Sequence, residues 1–239
     1  MESFNGIVIE DDQTVDQAVD VRNLQIYGNA VFRSRVDAES VEIFGTGRFR
    51  SFVTCDDLEI PGDAVMLERL LAETVKVEGS LCVAGKSRIE AAVIDGSAVF
   101  MDKLTAARCV LHTRGRLEAD GGLKVERFVC GGKLIVPDTL TGDMLDVTSC
   151  EQSEIARVNV YKVKVAYKPR GDVPEIREGE FLLSAYFIDA EELDLEYVAA
   201  DVVECDRAVI GPGCRIGELS YREDVKIDRY ARVERVMKI

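Results

Sequence analysis

Written in rows of seventeen from Ile7, the chain falls into columns, with rows opening at Ile7, Leu24, Val41, Leu58, Val75, Ala92 and Cys109. The third column reads Ile9, Ile26, Ile43, Ile60, Val77, Ile94 and Leu111. The ninth reads Val15, Phe32, Phe49, Met66, Val83, Phe100 and Leu117, and the fifteenth Val21, Ala38, Cys55, Ala72, Ile89, Ala106 and Leu123. All 21 of these sites are apolar, which at 47% hydrophobic composition is roughly a one-in-ten-million coincidence. A fixed period of this kind means that each repeat buries its apolar side against its neighbours.

The first column is apolar too, and the seventh is mostly small (Ala30, Gly47, Ala64, Leu81, Ala98, Gly115). Columns 1 and 3, 7 and 9, and 13 and 15 are therefore inward pairs two residues apart, the spacing of short strands buried on one face. Column 5 holds Gly28, Gly45, Gly62, Gly79 and Gly96, which marks a corner where a residue without a Cβ tolerates positive φ. Three short strands per turn, each stacked on its equivalent about 4.8 Å away, predict an all-β parallel β-helix. Such a β-solenoid has a triangular section and about 17 residues per turn. The local rival is a helix over 63–74, where apolar residues also recur at helical spacing. Ala64, Met66, Leu70 and Ala72 fill the repeat's columns, however, and a helix there would interrupt the ladder between the flanking rows.

The register weakens after Val125. Phe128 and Leu134 still fit columns 3 and 9, but Pro137, Thr139 and Gly142 predict a modified turn or an inserted loop. The stretch from Tyr167 to Glu180 carries two of the five prolines in a charged setting and reads as a boundary loop. Strand-like pairs return as Leu193/Leu195, Val203/Cys205, Cys214/Ile216, Leu219/Tyr221, Val225/Ile227 and Ala231/Val233. The expected organisation is a main β-helix segment over 7–150, an irregular boundary over 151–185, and a second, shorter β-helix segment over 186–239.

Charge and composition remove several function classes. A formal net charge of −14 repels phosphate backbones and anionic lipid, which argues against nucleic-acid or membrane-surface partners. The single histidine, His112, excludes sites that need two or three imidazoles. The opening MESFNGIVIEDDQTVD has neither a signal-peptide pattern nor an amphipathic lipid-binding helix, and no long apolar run occurs, so a cytoplasmic protein without direct membrane insertion is expected. Seven scattered cysteines (Cys55, Cys82, Cys109, Cys130, Cys150, Cys205, Cys214) form no C-x-x-C pair, and they read as reduced thiols, with Cys55 and Cys109 in inward columns.

Rows such as LQIYGNAVFRSRVDAES and VEIFGTGRFRSFVTCDD, in which V-x-I-x-G opens a turn, resemble the bactofilins, bacterial polymer-forming cytoskeletal proteins. The likeness covers residues 7 to about 125, and AVIGPGCRIGELSYREDVKIDRYARVERVMKI is similar to the second solenoid segment of the two-segment Firmicutes members. The resemblance implies a right-handed β-helix that assembles end to end into non-polar filaments without nucleotide. It also implies a non-enzymatic scaffold for cell shape, envelope-linked machinery or motility, with a paralogous bactofilin or envelope and motility proteins as further partners.

Assembly is also argued from the residues. The end of a solenoid exposes unpaired backbone and an apolar cross-section, which monomeric solenoids cover with a capping segment. Only Met1 to Gly6 precede the first row and no cap is evident, so one or both ends are expected to associate with another subunit. The candidate interface is Ile7, Ile9, Val15 and Val21 at one end, and Val225, Ile227, Val233, Val236 and Ile239 at the other. The alternative is a monomer closed by its own loop or by the 150–185 segment.

Three enzyme classes share features with this sequence. Hexapeptide acyltransferases and γ-type carbonic anhydrases also use triangular β-helices, and Ile210 to Gly217 fits one hexapeptide step. Those anhydrases need three histidine ligands, and His112 stands in column 4, an outward column that suits a solvated side chain better than a catalytic base. Solenoid carbohydrate enzymes use exposed acids, and Glu39, Asp56, Glu73 and Glu90 recur in column 16. A basic row nearby (Arg35, Arg69, Lys86, Lys103) makes a solvated mixed-charge face the simpler reading. No catalytic, cofactor or metal residue is therefore assigned. A non-polymerising adaptor that presents acidic faces to a protein partner stays open, as does an acyltransferase-like enzyme dependent on His112.

Overall fold

The computed structural model describes residues 6–148, 151–167 and 179–239. Every regular element among them is a β-strand, all pairings are parallel, and residues 63–74 lie in the strands Asp63–Met66 and Leu70–Val77 rather than in a helix. The chain is a parallel β-solenoid made of two compact units, one comprising 1–109 with 115–121 and the other 110–114 with 122–239.

The first unit repeats with the predicted period. Ile7 pairs with Leu24, Leu24 with Val41, Val41 with Leu58 and Leu58 with Val75, each step being 17 residues. The eight-residue strands, of which Val19–Ile26 is typical, have two exposed neighbours in mid-strand, Arg22 and Asn23. Two faces therefore meet there at a bend, and Asn29–Phe32 forms the third face of the same turn. Side chains from all three faces fill the centre, where Leu24, Ile26, Phe32, Val41, Ile43 and Phe49 are fully buried. Full burial of such side chains removes about 1.5–3 kcal/mol each from contact with water, so the column pattern is also the map of what holds the turns together. Phe32 and Phe49 stack one turn apart with ring centroids at 4.9 Å.

The column of glycines is required for a different reason from the one expected. None of Gly28, Gly45, Gly62, Gly79 and Gly96 has positive φ; among the described residues the glycines that do are Gly122, Gly179 and Gly213. At this corner each turn instead presses backbone on backbone. A Cβ on Gly45, Gly62, Gly79 or Gly96 would collide with the carbonyl oxygen of the glycine one turn earlier. The tight approach allows the hydrogen-bond ladder to continue round the bend, with the Gly62 amide donating to Ile43 at 2.8 Å and the Asp63 amide to Gly45 at 2.9 Å.

The period changes once across residues 110–114, which belong to the second unit. Ala98 pairs with Leu117 and Phe100 with Ala119, a step of 19, so Gly115 and Leu117 are not the equivalents of Ala98 and Phe100 that the seventeen-residue frame makes them. The extra pair of residues is accommodated in the turn at Thr113 and Arg114. An insertion of even length leaves inward and outward alternation intact, and Leu117 remains fully buried.

The second unit is a solenoid of uneven step. Leu123 pairs with Leu140, Leu140 with Val158, Val158 with Ile188, Ile188 with Val203, Val203 with Leu219 and Leu219 with Val236. The irregularity expected near Pro137 is a register shift between Val136 and Thr139, where proline removes a ladder donor. The 151–185 span read as irregular instead contains the strand Ser153–Val165, which pairs in register with Leu183–Leu195. A long insertion sits between two paired strands without interrupting their ladder. Its central part, residues 168–178 of the predicted boundary loop, lies outside the described residues, as does Cys150.

Candidate functional site

Among the described residues, the first turn of the first unit and the last turn of the second unit are places where the ladder has one neighbour instead of two. In the first unit, Ile7–Ile9 pairs along one edge with Leu24–Ile26, and Gln13–Val15 along one edge with Ala30–Phe32; neither has a second strand partner among the described residues. In the second unit, Arg232–Lys238 pairs along one edge with residues 215–221 and has no other strand beside it among the described residues. Unpaired strand edges of this kind are templates for another chain.

The apolar candidates differ between the two turns. In the first turn Ile9 is 2% and Val21 6% exposed, while Ile7 and Val15 are half-buried. These side chains are already largely out of water. In the last turn of the second unit the inward column is open. Ile227 is 42% exposed although its partner one turn back, Ile210, is fully buried; Val236 is 43% exposed against a fully buried Leu219. Val225 and Val233 are half-buried, and Ile239 is exposed. Met237 and Tyr230, which the column pattern does not single out, join this exposed set. The signal that marks them is position alone, since both belong to a turn with no second strand beside it among the described residues.

The chemistry elsewhere is that of packed core and solvated surface. Cys55, Cys109, Cys130, Cys205 and Cys214 are buried and Cys82 is half-buried. Desolvation pushes the thiols of Cys55 and Cys130 up to about 12, with the carboxylates of Asp56, Asp57 and Asp37 adding to the effect at Cys55. Such thiols are poor nucleophiles and poor metal ligands. No three His, Cys, Asp or Glu side chains among the described residues are grouped to hold a metal ion. His112 is exposed, as its outward column predicts. Glu39, Asp56, Glu73 and Glu90 are exposed on the bend, and Glu39 is 3.8 Å from Arg22. A similar surface network in the second unit joins Glu192 to Lys162 at 2.9 Å and to Arg207 at 3.0 Å; the hydrogen bond from Lys162 holds the Glu192 carboxyl below its usual range. Exposed pairs of this type contribute little to stability.

A groove of about 780 Å3 lies in the second unit, lined by residues that include Ser184, Ala199, Gly217, Glu154, Asp201 and Arg215. Among the described residues no histidine or cysteine lines it. Among the described residues no helix is long and apolar enough to cross a membrane. Comparison with protein-family models, curated proteins and solved structures found no match.

Proposed function

We propose that this chain is a non-enzymatic scaffold whose copies associate end to end through solenoid turns, as the resemblance of its rows to bactofilins implies. The observation that carries this reading is the open inward column of the last turn, where Ile227 and Val236 stand in water while their partners one turn back are fully buried. A β-solenoid suits a scaffold because its stability comes from contacts between neighbouring turns, and one more turn, from another copy, is the natural continuation of the stack. Assembly needs no bound nucleotide in this reading. A paralogous solenoid or an envelope or motility protein fits the same edge as a further partner.

The test is sedimentation velocity and negative-stain electron microscopy of the full chain without nucleotide, beside an Ile227→Lys/Val236→Lys variant. The expected result is open-ended assembly of the parent and discrete particles from a variant whose circular dichroism is unchanged. A parent that stays a discrete particle at every concentration overturns the scaffold and favours a non-polymerising adaptor. Ile9 is an unsuitable probe, because a lysine at a site only 2% exposed would disturb the fold itself.

A further inference from the structure

The groove of the second unit is lined by two columns of side chains. Glu154 pairs in register with Ser184, Ser184 with Ala199 and Ala199 with Arg215, so these four residues form one column across successive strands. Their chain neighbours Ile155, Leu183, Ala200 and Ile216 are buried, and strand alternation therefore turns the column outward. Two residues further along each strand, Ala156, Tyr186, Asp201 and Gly217 form the second column, at the position each ladder skips. Tyr186 is 64% exposed, whereas Ala156 and Gly217 add little bulk beside it. Each strand that carries the first column is paired on both sides, and all of them lie within the second unit.

The charges of the first column stand apart. Glu154 and Arg215 occupy its two ends, with Ser184 and Ala199 between them. At ~4.8 Å between neighbouring strands, three steps place the two charged positions about 14 Å apart. That is too far for an ion pair, and neither group has an ion-pair partner elsewhere among the described residues. Asp201 and Glu234, which also line the groove, have none either. The Ser184 hydroxyl is already engaged, since the Gln152 amide donates to it at 2.9 Å. The middle of the column thus offers room, and its ends offer opposite charge. A volume of about 780 Å3 is in the range of ligand-holding clefts.

We propose that this groove holds an extended peptide of a partner protein, laid across the turns, with a lysine or arginine side chain on Glu154 and an aspartate or glutamate side chain, four residues away, on Arg215. An extended chain rises about 3.3–3.4 Å per residue and sends alternate side chains to one face. Residues i and i+4 of the peptide therefore share a face and stand about 13–14 Å apart, which matches the spacing of the two charges. Residue i+2 falls over Ser184 and Ala199, whose small side chains leave it space. Asp201 and Glu234 make the groove net negative and favour a further cation on the peptide. A neutral glycan is the poorer occupant, because it would leave the charges at both ends of the column without a counter-charge. The inference goes beyond the scaffold reading and does not rest on it.

The test is fluorescence anisotropy of labelled synthetic peptides titrated with the full chain. The matched probe is Gly-Lys-Lys-Thr-Val-Thr-Glu-Thr-Gly, and its isomer Gly-Lys-Lys-Thr-Glu-Thr-Val-Thr-Gly has the same composition with the facing charges two residues apart. A third peptide, Gly-Thr-Glu-Thr-Val-Thr-Glu-Thr-Gly, places two acids four apart. The matched probe is expected to bind saturably with a Kd below roughly 1 mM, and the isomer at least tenfold more weakly. Glu154→Lys weakens the matched probe tenfold or more and takes up the two-acid peptide instead, because both ends of its column are then cationic. Ala199→Tyr, which fills the middle of the column without changing charge, loses the matched probe while its circular dichroism stays that of the parent. A parent with no saturable binding, two isomers that bind alike, or a Glu154→Lys variant with unchanged preference overturns the proposal. So does chitohexaose that displaces the matched probe, which would mark the groove as a glycan site.

Discussion

Replacing Gly62 by alanine tests the claim that the glycine corner exists for backbone contact. Alanine lowers the entropy of the unfolded chain, so at an unobstructed site it would stabilise by about 0.4–1 kcal/mol. At Gly62 the added Cβ meets the carbonyl oxygens of Gly45 and Phe44 on the preceding turn. That turn cannot yield freely, because the Gly62 amide donates to Ile43 at 2.8 Å and the Asp63 amide to Gly45 at 2.9 Å. Moving the corner apart sacrifices those two bonds, each worth about 1–3 kcal/mol when a buried group is left unsatisfied. Net of the entropy gain, Gly62→Ala is expected to cost about 2–4 kcal/mol. Gly28→Ala makes the internal comparison, since its Cβ would meet the Asp11 carbonyl at 2.6 Å, in a first turn paired on one side only among the described residues. That turn can shift outward, and the cost there falls to roughly half. Guanidinium unfolding followed by circular dichroism measures both, the chain having no tryptophan for fluorescence. A neutral or stabilising Gly62→Ala, or a Gly28→Ala that costs as much, would refute the backbone-contact account.

Phe49→Ala empties a fully buried site stacked on Phe32 and is expected to lower stability by about 3–5 kcal/mol, read as a fall in the denaturation midpoint. The buried thiols predict an alkaline loss of stability. Cys55 and Cys130 titrate near 12 when folded against an ordinary value of 9.0, so the folded state keeps protons that the unfolded state has released. Their contribution is intact below pH 9 and declines towards pH 12 at about 1.4 kcal/mol per pH unit for each thiol. Denaturation midpoints between pH 8 and 11 should fall less steeply in a Cys55→Ala/Cys130→Ala variant; equal slopes would argue that those thiols are exposed to solvent.

Much of the first unit is legible because the repeat is strict. An inward pair every six residues or so, repeated at 17, leaves one arrangement in which every column is buried, and the paired strands from Val19 to Ile94 follow it. The two-residue insertion at Thr113 and Arg114 leaves no mark in the sequence because it preserves the parity of the strand, so apolar residues still fall in apolar columns two residues out of register. In the second unit, successive steps of different length, including a long insertion between Val165 and Leu183, hide a ladder that is nonetheless continuous. Register there is held by hydrogen bonds between turns, which have no periodic signature once the corners vary in length.

The candidate assembly residues divide along the same line. The columns identify Ile7, Ile9, Val15 and Val21, and the strand-like pairs identify Val225, Ile227 and Val233, as inward-facing, because alternation is a local property of a strand. Which of the candidates meet water depends on whether another turn is stacked over them, and that is a tertiary matter: Ile9 and Val21 are covered while Ile227, Val236 and Ile239 stand open. The glycine column divides likewise. Its positions can be read from the seventeen-residue period, but only the stacked backbones reveal that a Cβ would strike the carbonyl of the turn before, since φ is set within a residue and a collision between turns is not.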